Sequence, residues 1–135
     1  MKLSTKGRYA VMAMLDLALN FKDQKPVKLI DISKRQGISL SYLEQLFTKL
    51  RRHGLVNSTR GPNGGYNLSR ETSLITIAEI ITAVDECIDA TRCKGKKNCR
   101  DTQACITHEL WTDLSNHICN FLNGITLDQI LESKL

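Results

Sequence analysis

Three amphipathic segments in the first half of the chain constrain the fold more than any other feature. Over Thr5–Asn20 the apolar residues Val11, Met12, Leu15, Ala18 and Leu19 recur at helical spacing, and they predict a first helix with this stripe inward. After Pro26, LIDISKRQ predicts a short second helix, which ends at Gly37 because glycine readily adopts a left-handed cap. Ser39 can cap a third helix, LSYLEQLFTKLRR, with its own apolar stripe. This order indicates a helix-turn-helix.

The segment after the third helix changes from helical to strand-like periodicity. LVNSTRGPNGGYNLS predicts two short strands, Leu55 to Arg60 and Tyr66 to Ser69, joined by a turn of glycine, proline and asparagine. A hairpin that follows a helix-turn-helix is typical of a winged helix. We therefore expect a mainly α fold, a winged helix-turn-helix with a small β-hairpin wing and a C-terminal dimerisation helix.

The outward face of the third helix mixes hydrogen-bonding groups with cations, as a helix in the DNA major groove requires. The alternative is a polar face that is merely solvated. Residues 1 to 70 have a net charge of +9 and residues 71 to 135 of −4 by residue count, and this asymmetry favours a polyanion-binding first half. The expected DNA-binding residues are Ser39, Ser41, Tyr42, Glu44, Gln45, Lys49 and Arg60, and the expected phosphate contacts are Lys2, Lys6, Arg8 and Arg52. Arg60 would reach the minor groove from the wing.

The chain carries no apolar run long enough to cross a membrane and no export signal near its N-terminus. We therefore expect a cytoplasmic protein without a membrane partner. In a reducing compartment, its five cysteines are poor candidates for a structural disulfide framework. Metal binding or redox chemistry is the better interpretation of these thiols.

Cys93, Cys99, Cys105 and His108 form the pattern C-x5-C-x5-C-x2-H in a basic, polar segment. Structural zinc usually pairs its ligands at closer spacing, whereas an iron-sulfur cluster accepts longer gaps. Neighbouring cations would lower the pKa of the thiols and offset the charge of either centre. The spacing favours a cluster over zinc but leaves both open, and incidental unligated cysteines remain a third interpretation.

The second half also predicts two helices. A capping box at Thr76 begins a fourth helix, and HELWTDLSNHICNFLN predicts a last helix that stops at Gly124. The large apolar face of the last helix favours a symmetric dimer, the alternative being that it folds back on its own domain. Trp111 is expected in a core in either case, and Cys87 and Cys119 are interpreted as packing residues.

These elements predict three regions. Residues 1–85 form a winged-helix DNA-binding domain, residues 86–109 a cluster-binding loop, and residues 110–135 a dimerisation helix with a C-terminal segment. His53 and His117 are expected on the surface rather than as ligands.

Several stretches together resemble one family. They are LSTKGRYAVMAMLDLALN, ISKRQGISLSYLEQLF, RGPNGGYNL, and DATRC followed by the x5, x5, x2 spacing and THELW, and they span Leu3 to Trp111. The chain is similar to the IscR-type bacterial iron-sulfur cluster regulators, which are winged-helix homodimeric transcription factors. It departs from them at Asn63, where glycine is usual, at Cys87 and Cys119, and in the longer tail usual after Leu135.

The resemblance implies that Cys93, Cys99, Cys105 and His108 hold a 2Fe-2S cluster. It also implies that Ser41, Tyr42, Glu44 and Gln45 enter the major groove, and Arg60 the minor groove. The cluster-bound dimer would repress the cluster-assembly operon, and the cluster-free form would bind a second class of promoter, with RNA polymerase as a partner at activated promoters.

Three rival functions stay open at this point: a nitric-oxide or redox sensor of the same fold, a zinc-structured regulator, and a small iron-sulfur electron carrier or enzyme subunit. The last does not explain the basic helix-turn-helix half. The sequence also shows no nucleophile and base pair and no phosphate loop, so we expect no enzymatic activity.

Overall fold

The structure is a computed structural model that describes residues 5–21, 25–84 and 106–133. Within these ranges the chain is mainly helical with one antiparallel hairpin, which confirms the predicted fold class. The elements are α1 Thr5–Asn20, α2 Leu29–Gln36, α3 Leu40–Arg52, β1 Val56–Thr59, β2 Gly65–Leu68, a 3-10 turn Thr72–Leu74, α4 Ile77–Val84, α5 His108–Asn123 and α6 Leu127–Ser133. No helix in the described ranges is long and apolar enough to span a bilayer.

The turn between α2 and α3 is built by two local signals. Gly37 follows α2 with a φ of 68°, and its N–H donates to Ser33 O at 2.9 Å. Ser39 then caps α3, because its hydroxyl oxygen accepts the Tyr42 N–H at 3.3 Å. Both predictions for this turn are confirmed, and together they fix the direction in which α3 leaves α2.

A buried carboxylate joins α1 to the end of α2. The Asp16 side chain is only 2 % exposed and accepts hydrogen bonds from Arg35 Nη2 at 2.7 Å and Gln36 Nε2 at 2.8 Å. The Asp16 hydrogen bond raises the pKa of Arg35 above its ordinary value. Loss of this carboxylate would remove the shared acceptor of the Arg35 guanidinium and the Gln36 amide, and with it the link from α1 to the end of α2.

The wing is attached to the helices by its second strand. Val27, just before α2, pairs with Tyr66 of β2 through two backbone hydrogen bonds of 2.8 Å. A side chain at Gly65 would place its Cβ 2.5 Å from Val27 O, and one at Gly64 would lie 2.2 Å from Thr59 O. Both positions therefore require glycine, and the wing is held close to the helix-turn-helix.

One hydrophobic core joins the helices of the first half to α4 and to the start of α6. Phe47 and Met14 are its largest fully buried side chains, and Leu127 of α6 is also completely buried. The inward faces predicted for α3 and α4 are confirmed. The apolar stripe predicted for α1 is wrong, because α1 faces the core with Ala10, Ala13, Met14 and Leu17, whereas the predicted Met12 and Leu19 are 38 % and 55 % exposed.

Helices α4 and α6 begin with similar sequences, ITIAEI and ITLDQI, and these two starts are bonded to each other. Ile77 N–H donates to Ile125 O at 2.9 Å, and Leu127 N–H donates to Ile75 O at 3.0 Å. The predicted capping box of α4 is present, since Glu79 N–H donates to Thr76 Oγ1 at 3.2 Å. This reciprocal pairing anchors the chain after α5 to the winged-helix core.

Candidate nucleic-acid interface

Helix α3 separates a buried stripe from a polar outward face. Its inward residues are Leu43, Leu46, Phe47 and Leu50, and none is more than 2 % exposed. Of the predicted DNA-binding residues on this helix, Ser41, Glu44, Gln45 and Arg52 are exposed, and Tyr42 and Lys49 are half-buried. The outward face thus presents hydroxyl, carboxylate, amide and guanidinium groups together on one rigid helix.

Tyr42 is held in place by a second tyrosine. The rings of Tyr9, on α1, and Tyr42 meet edge to face, with centroids 5.7 Å apart and planes at 88°. The Tyr42 backbone N–H is also the group that Ser39 caps. The first turn of α3 is therefore fixed by contacts from both sides, which limits how far its side chains can move against a ligand.

Two cations at the C-terminal end of α3 contact different neighbours. Lys49 Nζ donates to Val84 O of α4 over 3.5 Å. Arg51 Nη1 donates to Ser58 Oγ on β1 at 3.3 Å. The sequence interpretation did not include Arg51 among the functional residues; its place on the exposed face of a basic helix end is the signal that could have identified it.

The remaining predicted cations lie on the surface of neighbouring elements. Arg60 is exposed directly after β1, where the wing turn begins, and Lys6 and Arg8 are exposed on the first turns of α1. Lys6 lines one cleft with Lys49, Arg52 and His53. The fold thus brings cations of α1 and α3 together, while the predicted phosphate contact Lys2 lies outside the described residues.

Of the four predicted cluster ligands, the structure describes His108. It is the first residue of α5 and is only 5 % exposed, with Nε2 3.4 Å from Thr112 Oγ1. Cys93, Cys99 and Cys105 lie outside the described residues, as does Cys87. Residues 5–21, 25–84 and 106–133 contain no group of three or more metal-ligating side chains placed to hold an ion.

The interpretation of Cys119 as a packing thiol is wrong, because this residue is disulfide-bonded. It is half-buried and lines a cleft with Ala78 and Glu79 of α4. His53 and His117 are on the surface, as expected.

Helix α5 presents an apolar stripe to solvent. Leu110, Leu114, Ile118 and Phe121 share one face by helical spacing, and Leu110 and Phe121 are 57 % and 67 % exposed. Trp111 is 39 % exposed, and its indole N–H donates to Thr107 Oγ1 at 3.0 Å. Trp111 is therefore not in the core of the single chain, and its expected burial between two copies stays a prediction.

The winged helix and the polar outward face of α3 define a helix-turn-helix transcription regulator. The model of the Rrf2 family, described as an iron-dependent transcriptional regulator, matches residues 3–133. The chain belongs to this family, as its resemblance to the iron-sulfur cluster regulators indicated.

Named relatives and solved structures agree with this assignment. The HTH-type transcriptional regulator IscR of Escherichia coli (strain K12 / DH10B) is 58% identical over 134 residues, which cover 99% of this chain and 82% of the relative. The solved structure of T. potens IscR has a TM-score of 0.81 at 38% identity and covers 100% of this chain and 89% of that one. CymR, the global cysteine regulator of B. subtilis, has a TM-score of 0.82 at 32% identity over 98% of both chains. These relatives are named as regulators, not enzymes.

Proposed function

We propose that this regulator is cytoplasmic and reads promoter DNA through α3 and the wing, and that a 2Fe-2S cluster bound in the second half selects its target promoters. The observation that carries the proposal is the rigid outward face of α3, flanked by exposed cations of α1 and by Arg60 on the wing. With the cluster bound, the protein represses the cluster-assembly operon. Without it, the protein still binds a second class of promoter, where RNA polymerase is a partner.

Each exposed group of α3 has a chemical role in this proposal. The hydroxyl of Ser41 and the amide of Gln45 can donate to and accept from base edges in the major groove, as can the Tyr42 hydroxyl. Ser39 and Lys49 lie at the two ends of this face, and Arg60 inserts its guanidinium into the narrow minor groove. The cations Lys2, Lys6, Arg8 and Arg52 contact phosphates and fix the register without reading sequence.

Cys93, Cys99, Cys105 and His108 would hold the cluster. The donor set suits iron, since three thiolates with one imidazole are compatible with a 2Fe-2S centre. The described member fits a ligand role, because His108 is buried and its ring lies beside a hydroxyl group that can orient it. Whether the cluster is bound would depend on iron and redox state, so the bound cluster would report both. The name of the family, iron-dependent transcriptional regulator, favours this centre over structural zinc.

The protein acts as a homodimer in this proposal. The exposed apolar stripe of α5 is the surface through which two copies would pair. A two-fold dimer places two copies of α3 on successive half-sites of an operator, so palindromic operators and cooperative binding are expected.

The test is metal content and DNA binding of the same preparation. After anaerobic purification we expect about two irons per chain, a visible absorption band and no zinc, as a 2Fe-2S centre requires. Binding to a promoter duplex should weaken steeply with salt, since each neutralised phosphate contributes about 0.9 to the slope of log K against log salt. Stoichiometric zinc would redirect the proposal to a zinc-structured regulator, and binding without salt dependence would contradict the DNA-reading role.

A further inference from the structure

One residue pair of the wing is attached to α3 by two side-chain contacts. In the antiparallel hairpin, Ser58 of β1 lies opposite Tyr66 of β2, and side chains of such opposite residues project from the same face of the sheet. The Tyr66 ring meets the ring of the fully buried Phe47, with centroids 5.0 Å apart and planes at 61°. Ser58 Oγ accepts a hydrogen bond from Nη1 of the exposed Arg51 at 3.3 Å. This pair therefore contacts both the buried and the exposed face of α3.

The same pair is also attached to the chain before α2. Tyr66 N–H donates to Val27 O, and Val27 N–H donates to Tyr66 O, each at 2.8 Å. The two backbones come so close that a Cβ at Gly65 would lie 2.5 Å from Val27 O. A rotation of the hairpin against α3 would disturb the ring contact, the hydroxyl contact and this backbone pairing together. We call these five residues the wing clamp: Val27, Phe47, Arg51, Ser58 and Tyr66.

Arg60, which we propose for the minor groove, lies close to the clamp. It follows Ser58 by two residues, which is about 7 Å of extended chain. The turn beyond it is tight, since Gly64 N–H donates to Gly61 O at 2.9 Å and a Cβ at Gly64 would lie 2.2 Å from Thr59 O. The Arg60 backbone therefore has little freedom to move relative to the clamp, and through the clamp relative to α3.

We infer that Tyr66 is a positioning residue that fixes Arg60 against the outward face of α3, an inference that rests on the proposed function. A helix fits the major groove, about 12 Å wide, whereas the wing guanidinium would enter the minor groove, about 6 Å wide. A rigid link between the two elements requires both grooves to fit at one separation, so the width of the minor groove contributes to the choice of operator. A loosely attached wing would let Arg60 adapt to either width, and this discrimination would be lost.

The experiment is a double-mutant cycle in DNA affinity with the full-length protein. It uses two duplexes made from one that the wild type binds, with either A·T-rich or G·C-rich sequence in the segment that footprinting assigns to the wing. Tyr66→Leu removes the ring that packs on Phe47, and Arg60→Ala removes the guanidinium. Tyr66→Phe keeps the ring and is the matched control at the same position. Arg8→Ala removes an exposed cation of α1, outside the wing.

In the wild type, Arg60→Ala should weaken binding more on the A·T-rich duplex, because such sequences narrow the minor groove. Tyr66→Leu should reduce this loss by at least about 2-fold, the smallest coupling expected for positions that share a backbone shift. It should lower the preference for the A·T-rich duplex by a similar factor, which a change in folding stability alone would not do. Tyr66→Phe should behave like the wild type, and Arg8→Ala should cost the same factor with and without Tyr66→Leu.

Ser58→Ala tests the clamp from its exposed side. Ser58 is exposed, so the change leaves the core intact, and it removes the acceptor of the Arg51 hydrogen bond while keeping the Arg51 cation. We expect it to reduce the contribution of Arg60 in the same direction as Tyr66→Leu. Tyr66→Leu decides the question if this variant folds, and Ser58→Ala decides it otherwise.

The possible failures of the inference and of the proposed function are distinct. An equal loss for Arg60→Ala in the wild type and in the deciding clamp variant would overturn the positioning role and leave DNA reading by α3 and the wing intact. An Arg60→Ala protein that binds both duplexes as tightly as the wild type would contradict the minor-groove contact in the proposed function, and the positioning role would fail with it.

Discussion

Glu44 is the acidic residue of α3, and it is exposed on the face that would meet DNA. A carboxylate there can accept from cytosine N4, but it repels phosphates and the acceptor-rich edges of other bases. Because an unfavourable contact discriminates as well as a favourable one, we interpret Glu44 as a residue that excludes one class of operator.

We predict that Glu44→Ala in the cluster-free protein relaxes this exclusion. The disfavoured motif should gain affinity by roughly 5- to 150-fold, since one base contact contributes about 1–3 kcal/mol of discrimination. Competitive binding of the two motifs measures the change. Glu44→Gln is the matched control that separates charge from size, and an unchanged motif preference in Glu44→Ala would rule out the exclusion role.

Glu79 gives a pH-dependent test of the capping box. Burial opposes its ionisation, but hydrogen bonds from Arg70 and Thr76 outweigh this and hold the pKa of Glu79 below its ordinary value of 4.5. A group with a lowered folded-state pKa stabilises the protein fully above the unfolded pKa, and this contribution disappears as the pH falls through the folded pKa.

We therefore expect Glu79→Gln to be less stable than the wild type at about pH 7, and the difference to be smaller at about pH 3. The amide keeps an oxygen for the Thr76 N–H but loses the ion pair with Arg70. Urea unfolding at the two pH values measures the difference. A gap of the same size at both values would mean that the charge of Glu79 does not contribute.

Single residues were predictable where their partners are close in sequence. Gly37 and Ser39 bond to residues within one turn, so composition and order identified both caps. Arg35 bonds to Asp16 over a separation of 19 residues, and Lys49 bonds to Val84 over 35. No local sequence pattern predicts such pairs, because these contacts depend on how the helices pack against each other.

Helix α5 shows the limit of periodicity at the scale of an element. The spacing of its apolar residues predicted the helix and its end at Gly124. Periodicity alone could not show which surface covers that face, and the single chain leaves Trp111 39 % exposed. The exposed stripe is the surface that we assign to the dimer, since exposed apolar patches of this kind mark protein contacts.

We predict that Phe121→Glu converts the dimer to a monomer without unfolding it. Phe121 is 67 % exposed in the single chain, so a charge there costs little in the monomer but would be buried between two copies. Sedimentation equilibrium measures the change. Asn116→Glu, exposed on the opposite face of α5, is the matched control and should remain dimeric.

Trp111 gives an independent readout of the same prediction, because it is the single tryptophan of the chain. Its fluorescence should shift to longer wavelength in Phe121→Glu and on dilution of the wild type. A dimeric Phe121→Glu protein would contradict the assignment of this stripe.

At the scale of the whole molecule, the division of charge between the two halves follows the division of function that we propose. The basic half contains α1 to α3 and the wing, whose exposed groups suit a polyanion, and their arrangement was predicted from the sequence. The site in the second half could be predicted only as a set of ligands, because spacing alone does not distinguish iron from zinc. Membership of the Rrf2 family favours iron at this point.

The central claim is that the ligands in the second half change how the first half reads DNA. The most direct test measures the affinity for each of the two operator classes under identical anaerobic conditions. It compares the iron-loaded wild-type protein with the variant in which Cys93, Cys99 and Cys105 are all changed to alanine. We expect the ratio of the two affinities to differ between these proteins by at least about tenfold, equivalent to ~1.4 kcal/mol. The same ratio in both proteins would contradict the account.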